Sequence, residues 1–132
     1  LIGVDLKKDP AMLDAAYNDG QGLTAEFNRN LLIRINRECG ADFIPEQFQH
    51  SAFYNPAAGR VEMHLVSRVE QTVHCNGAAF RFAAGEGIHT ENSYKYSVED
   101  FQRLARDSGW KPRRVFTDAR QLFSLHYLST GS

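Results

Sequence analysis

Long apolar runs are missing from this sequence. The longest aliphatic stretches, such as LLI at 31–33, fall far short of the roughly 18 residues that cross a bilayer, and no signal peptide opens the chain. A soluble, cytoplasmic protein is expected. An excess of one charge is missing too: 15 basic residues against 16 acidic ones leave a net charge of -1, which supplies no field for gripping a phosphate backbone. No nucleic-acid partner and no membrane partner are expected. Cysteine is scarce, and Cys39 and Cys75 are read as two buried, reduced thiols, because a chain with 42% apolar residues does not need a disulfide. No phosphate-cradling loop occurs in either the G-x-G-x-x-G or the G-x-x-x-x-G-K-[ST] form, and Gly85 and Gly87 in AAGEGIH follow a strand without leading directly into a helix. The histidines (His50, His64, His74, His89, His126) stand at no HxH or HxxxH interval, so no metal site is expected from spacing.

What is present fits one globular unit of 132 residues. LIGVDLKKD opens without methionine in an apolar run that reads as a buried strand, so residue 1 is expected to lie inside a domain that begins upstream. Asp9 and Pro10 then supply a cap and a first-turn proline for a short helix through AMLDAAY. From Thr24 the spacing of Phe27, Leu31 and Ile35, with Leu32 beside them, predicts an amphipathic helix that Gly40 ends. Residues 43–50 have no clear period and read as loop or a short helical turn. The period then becomes two: HSAFY, GRVEMHLVSRVEQTVHC and GAAFRFAAG predict three antiparallel strands over 51–84, with Asn76-Gly77 as a hairpin turn. Ser97 and Asp100 have capping-box spacing before a helix whose buried stripe is Val98, Phe101, Leu104 and Ala105, closed by Gly109. VFTD and LFSLHYL predict a final strand pair. The order describes an α/β sheet interrupted by an α+β insertion.

One short stretch carries unusual hydrogen-bonding capacity. IHTENSYKY at 88–96 holds four hydroxyls, a carboxylate, an amide and an imidazole. If it is extended, Glu91 and Ser93 lie two apart on one face, and a carboxylate beside a hydroxyl can grip a ring with two polar nitrogens. The competing reading has Glu91 solvated or paired with Lys95, and Ser93 in a turn entering the Ser97 helix.

GVDLKKD, AAYND, GLTAEFNRNLL, RVEMHL, AAGEGIHTENSYKY and the closing TD...FSLHYL, in this order, resemble the C-terminal half of the histidine-specific, S-adenosylmethionine-dependent methyltransferases of ergothioneine biosynthesis. The resemblance implies methylation of the α-amino group of histidine to hercynine by a Rossmann-like domain with a substrate-binding insertion. It divides the chain into a late part of the methyltransferase sheet, 1–6 and 94–132, and the insertion with its antiparallel meander, 7–93. It implies that Glu91 and Ser93 bind the imidazole, that Tyr17 orients the amino acid end, and that Phe27 and Met63 line the pocket. S-adenosylmethionine is the implied cofactor, with its site mostly upstream of residue 1, so the chain alone is expected to be inactive. Tyr17 and Met63 read equally well as core residues. A noncatalytic amino-acid-binding or interaction module, and a methyltransferase of the same fold acting on another amine, are the alternatives. A truncated sheet edge predicts self-association.

Overall fold

The computed structural model describes residues 1–131. The termini build one sheet. β1 (Ile2–Asp5), β7 (Lys111–Thr117) and β8 (Phe123–Ser129) pair in the order β1-β8-β7, both pairings antiparallel, and α3 (Val98–Asp107) covers one face. Along β8, Ser124, His126 and Leu128 are buried while Phe123, Leu125 and Tyr127 are exposed on the opposite side. The ring of Phe101 on α3 lies 4.5 Å from that of His126.

Between these segments runs a second sheet in the order β2-β3-β6, made of β2 (Phe48–Asn55), β3 (Arg60–Ser67) and β6 (Gly87–Tyr94), again antiparallel. The chain is thus mixed α/β with antiparallel sheets. The meander expected over 51–84 takes a different form. The alternation of GRVEMHLVSRVEQTVHC continues without a break, yet the strand stops at Ser67, whose hydroxyl donates to Val69 O at 2.8 Å, while Arg68 N bonds Gln47 O. β4 (Gln71–Cys75) and β5 (Ala78–Phe82) then form a separate hairpin. Its turn is Asn76-Gly77, both at positive φ, as a two-residue turn of this kind requires. The third strand of the main sheet is β6.

α1 (Pro10–Tyr17) starts where its cap predicts, with Asp9 Oδ1 accepting from Ala11 N at 2.9 Å. Three bonds tie it to β2: Tyr54 N to Asp14 Oδ1, Asn18 Nδ2 to Ala52 O, and His50 Nε2 to the Tyr17 carbonyl. α2 (Leu23–Cys39) ends at Gly40 in the left-handed region, φ 62°. Its buried face differs from the expected one. Phe27 is 66% exposed and Leu31 is also exposed, whereas Asn28 and Leu32, one position further on, meet the sheet. The rotation has a physical cause: Asn28 finds three polar partners on the sheet, which an apolar-period argument cannot register. Leu32, Phe48 and Leu65 form the core of this part, with Phe43, Phe82 and Ile88 packed on it, and Phe48 meets Phe82 edge-to-face at 5.5 Å. A short 3-10 turn, Pro45–Gln47, precedes β2.

α3 carries its Ser97 cap, Oγ accepting from Asp100 N at 3.0 Å, but Leu104 is exposed and only Ala105 of its stripe is fully buried. The cysteines are free as expected and not buried: Cys39 is exposed and Cys75 half-buried. Among the described residues no helix is long and apolar enough to cross a membrane.

Candidate functional site

The site lies where β6 passes between α2 and the end of α1. β6 is extended over the whole stretch from Gly87 to Tyr94, so Glu91 and Ser93 project from one face, the face that meets the two helices. The strand is not regular. Met63 faces Glu91 and His64 faces His89, which leaves Thr90 as an extra residue, a β-bulge. The bulge solves a parity conflict. Ile88, in the core beside Leu65, and Glu91 are three apart and would otherwise point to opposite faces; the additional residue brings both to the helix side.

Asn28 secures the bulge. It is 2% exposed, and its Oδ1 accepts from the Thr90 hydroxyl at 2.7 Å while Nδ2 donates to His64 O and to His50 Nδ1, both at 3.0 Å. The partners assign the His50 tautomer: Nδ1 accepts, so Nε2 carries the proton and donates to Tyr17 O at 2.8 Å.

Beneath α2 is a cleft of about 170 Å³ whose lining includes Phe27, Arg34, Met63, Thr90 and Glu91. On the measure by which one water needs roughly 10–15 Å³, that is room for about a dozen waters, enough to admit a small ring. Three of the five residues expected at the site, Phe27, Met63 and Glu91, therefore come together here. Met63 is at once pocket wall and core, being 2% exposed. The other two meet next door: Tyr17 Oη donates to Ser93 Oγ at 2.8 Å. Lys95 joins them, its ammonium 2.9 Å from both hydroxyls and 2.7 Å from Asp5 Oδ2, so its ion pair is with Asp5 and not with Glu91. The sequence reading missed Asn28, Thr90, Lys95 and Asp5 as parts of this arrangement. Of these, only the i, i+2 spacing of Ser93 and Lys95 was a usable signal.

The opposite face of the sheet gathers Glu62, His64 and His89, a group that the sequence spacing did not reveal. Arg60 pairs with Glu62 at 2.8 Å, His64 Nε2 lies 3.1 Å from its other oxygen, and Asn55 also bonds it. These hydrogen bonds, Arg60 foremost, hold the Glu62 carboxyl down at about 2. The His64 ring stacks on Phe53 at 5.4 Å and on His89 at 4.4 Å, and one polar side-chain atom from each of Glu62, His64 and His89 lies within 4.8 Å of the others. The group is built as an ion pair under an aromatic ladder.

Comparison with known proteins shows the family of the chain. A family described as histidine-specific, SAM-dependent methyltransferases matches residues 1–130. A histidine N-alpha-methyltransferase of Mycolicibacterium smegmatis is 39% identical over 127 residues, covering 95% of this chain and 40% of the relative. One of Mycobacterium tuberculosis is 41% identical over the same length and coverage. Ergothioneine biosynthesis protein 1 of Neurospora crassa is 29% identical over 143 residues, 98% of this chain and 14% of that protein. The chain thus spans about two fifths of the length of its bacterial relatives. With nearly all of its length inside the match, the chain belongs to the family of histidine-specific, S-adenosylmethionine-dependent methyltransferases.

Proposed function

We propose that the chain is the substrate-reading part of an enzyme that transfers methyl groups from S-adenosylmethionine to the α-amino group of histidine, forming hercynine in ergothioneine biosynthesis. The observation that carries the reading is the common face of Glu91 and Ser93 beside a cleft that admits a ring, with Tyr17 bonded to Ser93. Glu91 accepts a ring N–H, Ser93 bonds the second ring nitrogen, and Tyr17 lies toward the amino acid end. Phe27 and Met63 are the walls. A division at 1–6 and 94–132 for the methyltransferase part, and 7–93 for the insertion, accords with the two sheets and with a Rossmann-like parent.

The residues present do not make a site for the methyl donor. Both strand-to-helix passages, β1 into α1 and β6 into α3, lack glycine, so neither brings backbone N–H groups close to a bound cofactor. The donor is held mainly by the rest of the parent, and the chain alone is inactive. What these residues contribute is position: holding the ring fixes where the amine stands, and placing the reacting atoms is where such a transfer gains most of its rate. The free thiols accord with a cytoplasmic setting.

The test is kcat/KM for histidine in the full-length enzyme after Glu91→Ala and Ser93→Ala. A site built to bond ring nitrogens leaves buried groups unpaired when one partner is removed, so losses of tenfold or more are expected. A loss below about threefold for Glu91→Ala, roughly 0.7 kcal/mol, refutes the ring-holding role.

A further inference from the structure

Lys95 is a buried charged group at this site that the proposed reading does not use. It follows β6 directly and is 3% exposed. A buried ammonium must satisfy three N–H donors. It meets three acceptors: Asp5 Oδ2 at 2.7 Å, Tyr17 Oη at 2.9 Å and Ser93 Oγ at 2.9 Å. Burial works against its charge, but the hydrogen bonds to Asp5 and Tyr17 outweigh it and hold Lys95 above the ordinary lysine value. Asp5, also bonded by Lys8, is held below the usual carboxylate value because its lysine partners outweigh its own burial.

The consequence follows from counting protons and lone pairs. Both hydroxyls accept from the same cation. Between Tyr17 Oη and Ser93 Oγ, 2.8 Å apart, lies one further hydroxyl proton, and a phenol is a stronger donor than an alkyl hydroxyl, so that proton belongs to Tyr17. Ser93 Oγ then has both lone pairs occupied and only its own proton left to offer a ligand. Glu91, two residues earlier on the same face, presents a carboxylate that only accepts. Arg34, also lining the cleft, has its charge paired with Glu38 through two hydrogen bonds, at 3.2 and 3.1 Å.

We propose that Lys95, anchored by Asp5, is a positioning residue that fixes Ser93 as a donor, so that the Glu91 and Ser93 pair selects a neutral azole carrying one N–H and one bare ring nitrogen. This rests on the reading that the pair holds the substrate ring. An imidazolium, with two N–H groups, sets one of them against the Ser93 proton. A phenyl ring offers neither partner.

The experiment uses the full-length enzyme and two substrates with the same amino acid end: histidine, and β-(1,2,4-triazol-3-yl)alanine, whose ring stays neutral in mild acid. Taking the ratio of their kcat/KM values cancels titrations common to both. With a histidine ring pKa of about 6.5, the neutral fraction falls roughly tenfold between pH 7.5 and 5.5. The wild-type ratio of triazole to histidine should rise by about that factor. Lys95→Met frees a lone pair on Ser93 that can accept from an imidazolium, so the rise should shrink to threefold or less, with KM for histidine at pH 7.5 raised more than kcat is lowered. A merely structural lysine would lower both substrates together and leave the pH response of the ratio intact. A flat wild-type ratio overturns the proposal, as does a Lys95→Met enzyme that keeps the full tenfold rise. Should Lys95→Met fail to fold, the wild-type ratio and Asp5→Asn, which removes the anchor charge and should weaken the response, decide the matter. Loss of sensitivity to Glu91→Ala overturns the ring reading itself, whereas a Glu91-dependent enzyme with a flat ratio overturns only the role of Lys95.

Discussion

Asn28→Ala offers the most direct test of how the site is held. The side chain is 2% exposed and joins α2 to two strands through Thr90 Oγ1, His64 O and His50 Nδ1. Removing it deletes three hydrogen bonds; the Thr90 hydroxyl still has Met63 O at 3.0 Å, whereas His64 O and His50 Nδ1 each lose a donor. At about 1 kcal/mol net for each neutral bond, the loss is about 3 kcal/mol, and somewhat more if no water reaches the orphaned groups. In urea, with m near 1.5 kcal/mol/M for a chain of this size, the midpoint should fall by about 2 M at unchanged m. Thr90→Val removes one of the three bonds and should cost about 1 kcal/mol. Because the two share that bond, the double variant should lose less than the sum of the singles. A midpoint shift worth less than about 1 kcal/mol for Asn28→Ala, or strictly additive losses, would refute the view that this amide clamps the bulge.

Three further outcomes are expected. His126 is fully buried, its Nε2 bonded to Ser124 Oγ and its Nδ1 without a partner, and burial pushes its pKa below 6.5. The unfolded chain therefore binds this proton more readily, so stability should be full above pH 6.5 and decline as the pH falls below it; urea midpoints at pH 8 and pH 5.5 should differ less in His126→Asn than in the parent. Gly40→Ala should destabilise by about 1 kcal/mol, because φ of 62° there suits glycine and strains alanine, and calorimetry should show the lowered Tm. The 132-residue chain studied alone should self-associate through the outer face of the terminal sheet, where Phe116, Phe123, Leu125 and Tyr127 are exposed; light scattering should give a mass above the monomer that falls in Leu125→Lys, and a monomer at high concentration would contradict this.

Features with local causes were legible in the sequence. Asp9, Ser97 and Gly40 bound their helices because capping involves residues within one turn, and Asn76-Gly77 closed its hairpin because only two residues decide that turn. The shared face of Glu91 and Ser93 followed from strand parity alone. What escaped depends on partners distant in the chain. Asn28 rotates α2 by bonding Thr90, 62 residues away, and a buried polar group is invisible to an apolar-period argument. The end of β3 at Ser67 is set by Gln47 and by a serine bonding its own backbone, while the alternating pattern runs straight through. Lys95 looked like a local partner for Glu91, but it bonds Asp5, and no spacing rule connects the first strand to the sixth.

The bulge at Thr90 also constrains how this strand can change over time. Single substitutions can alter what Glu91 or Ser93 recognise while the backbone register stays as it is. A single deletion between Ile88 and Glu91 cannot, because it exchanges inside for outside on one half of the strand: either the core loses Ile88 or the cleft loses its carboxylate. Members of the family that differ in ring preference should therefore keep the length of this segment and vary its letters, and an insertion or deletion here would mark a protein that no longer reads a ring with this strand.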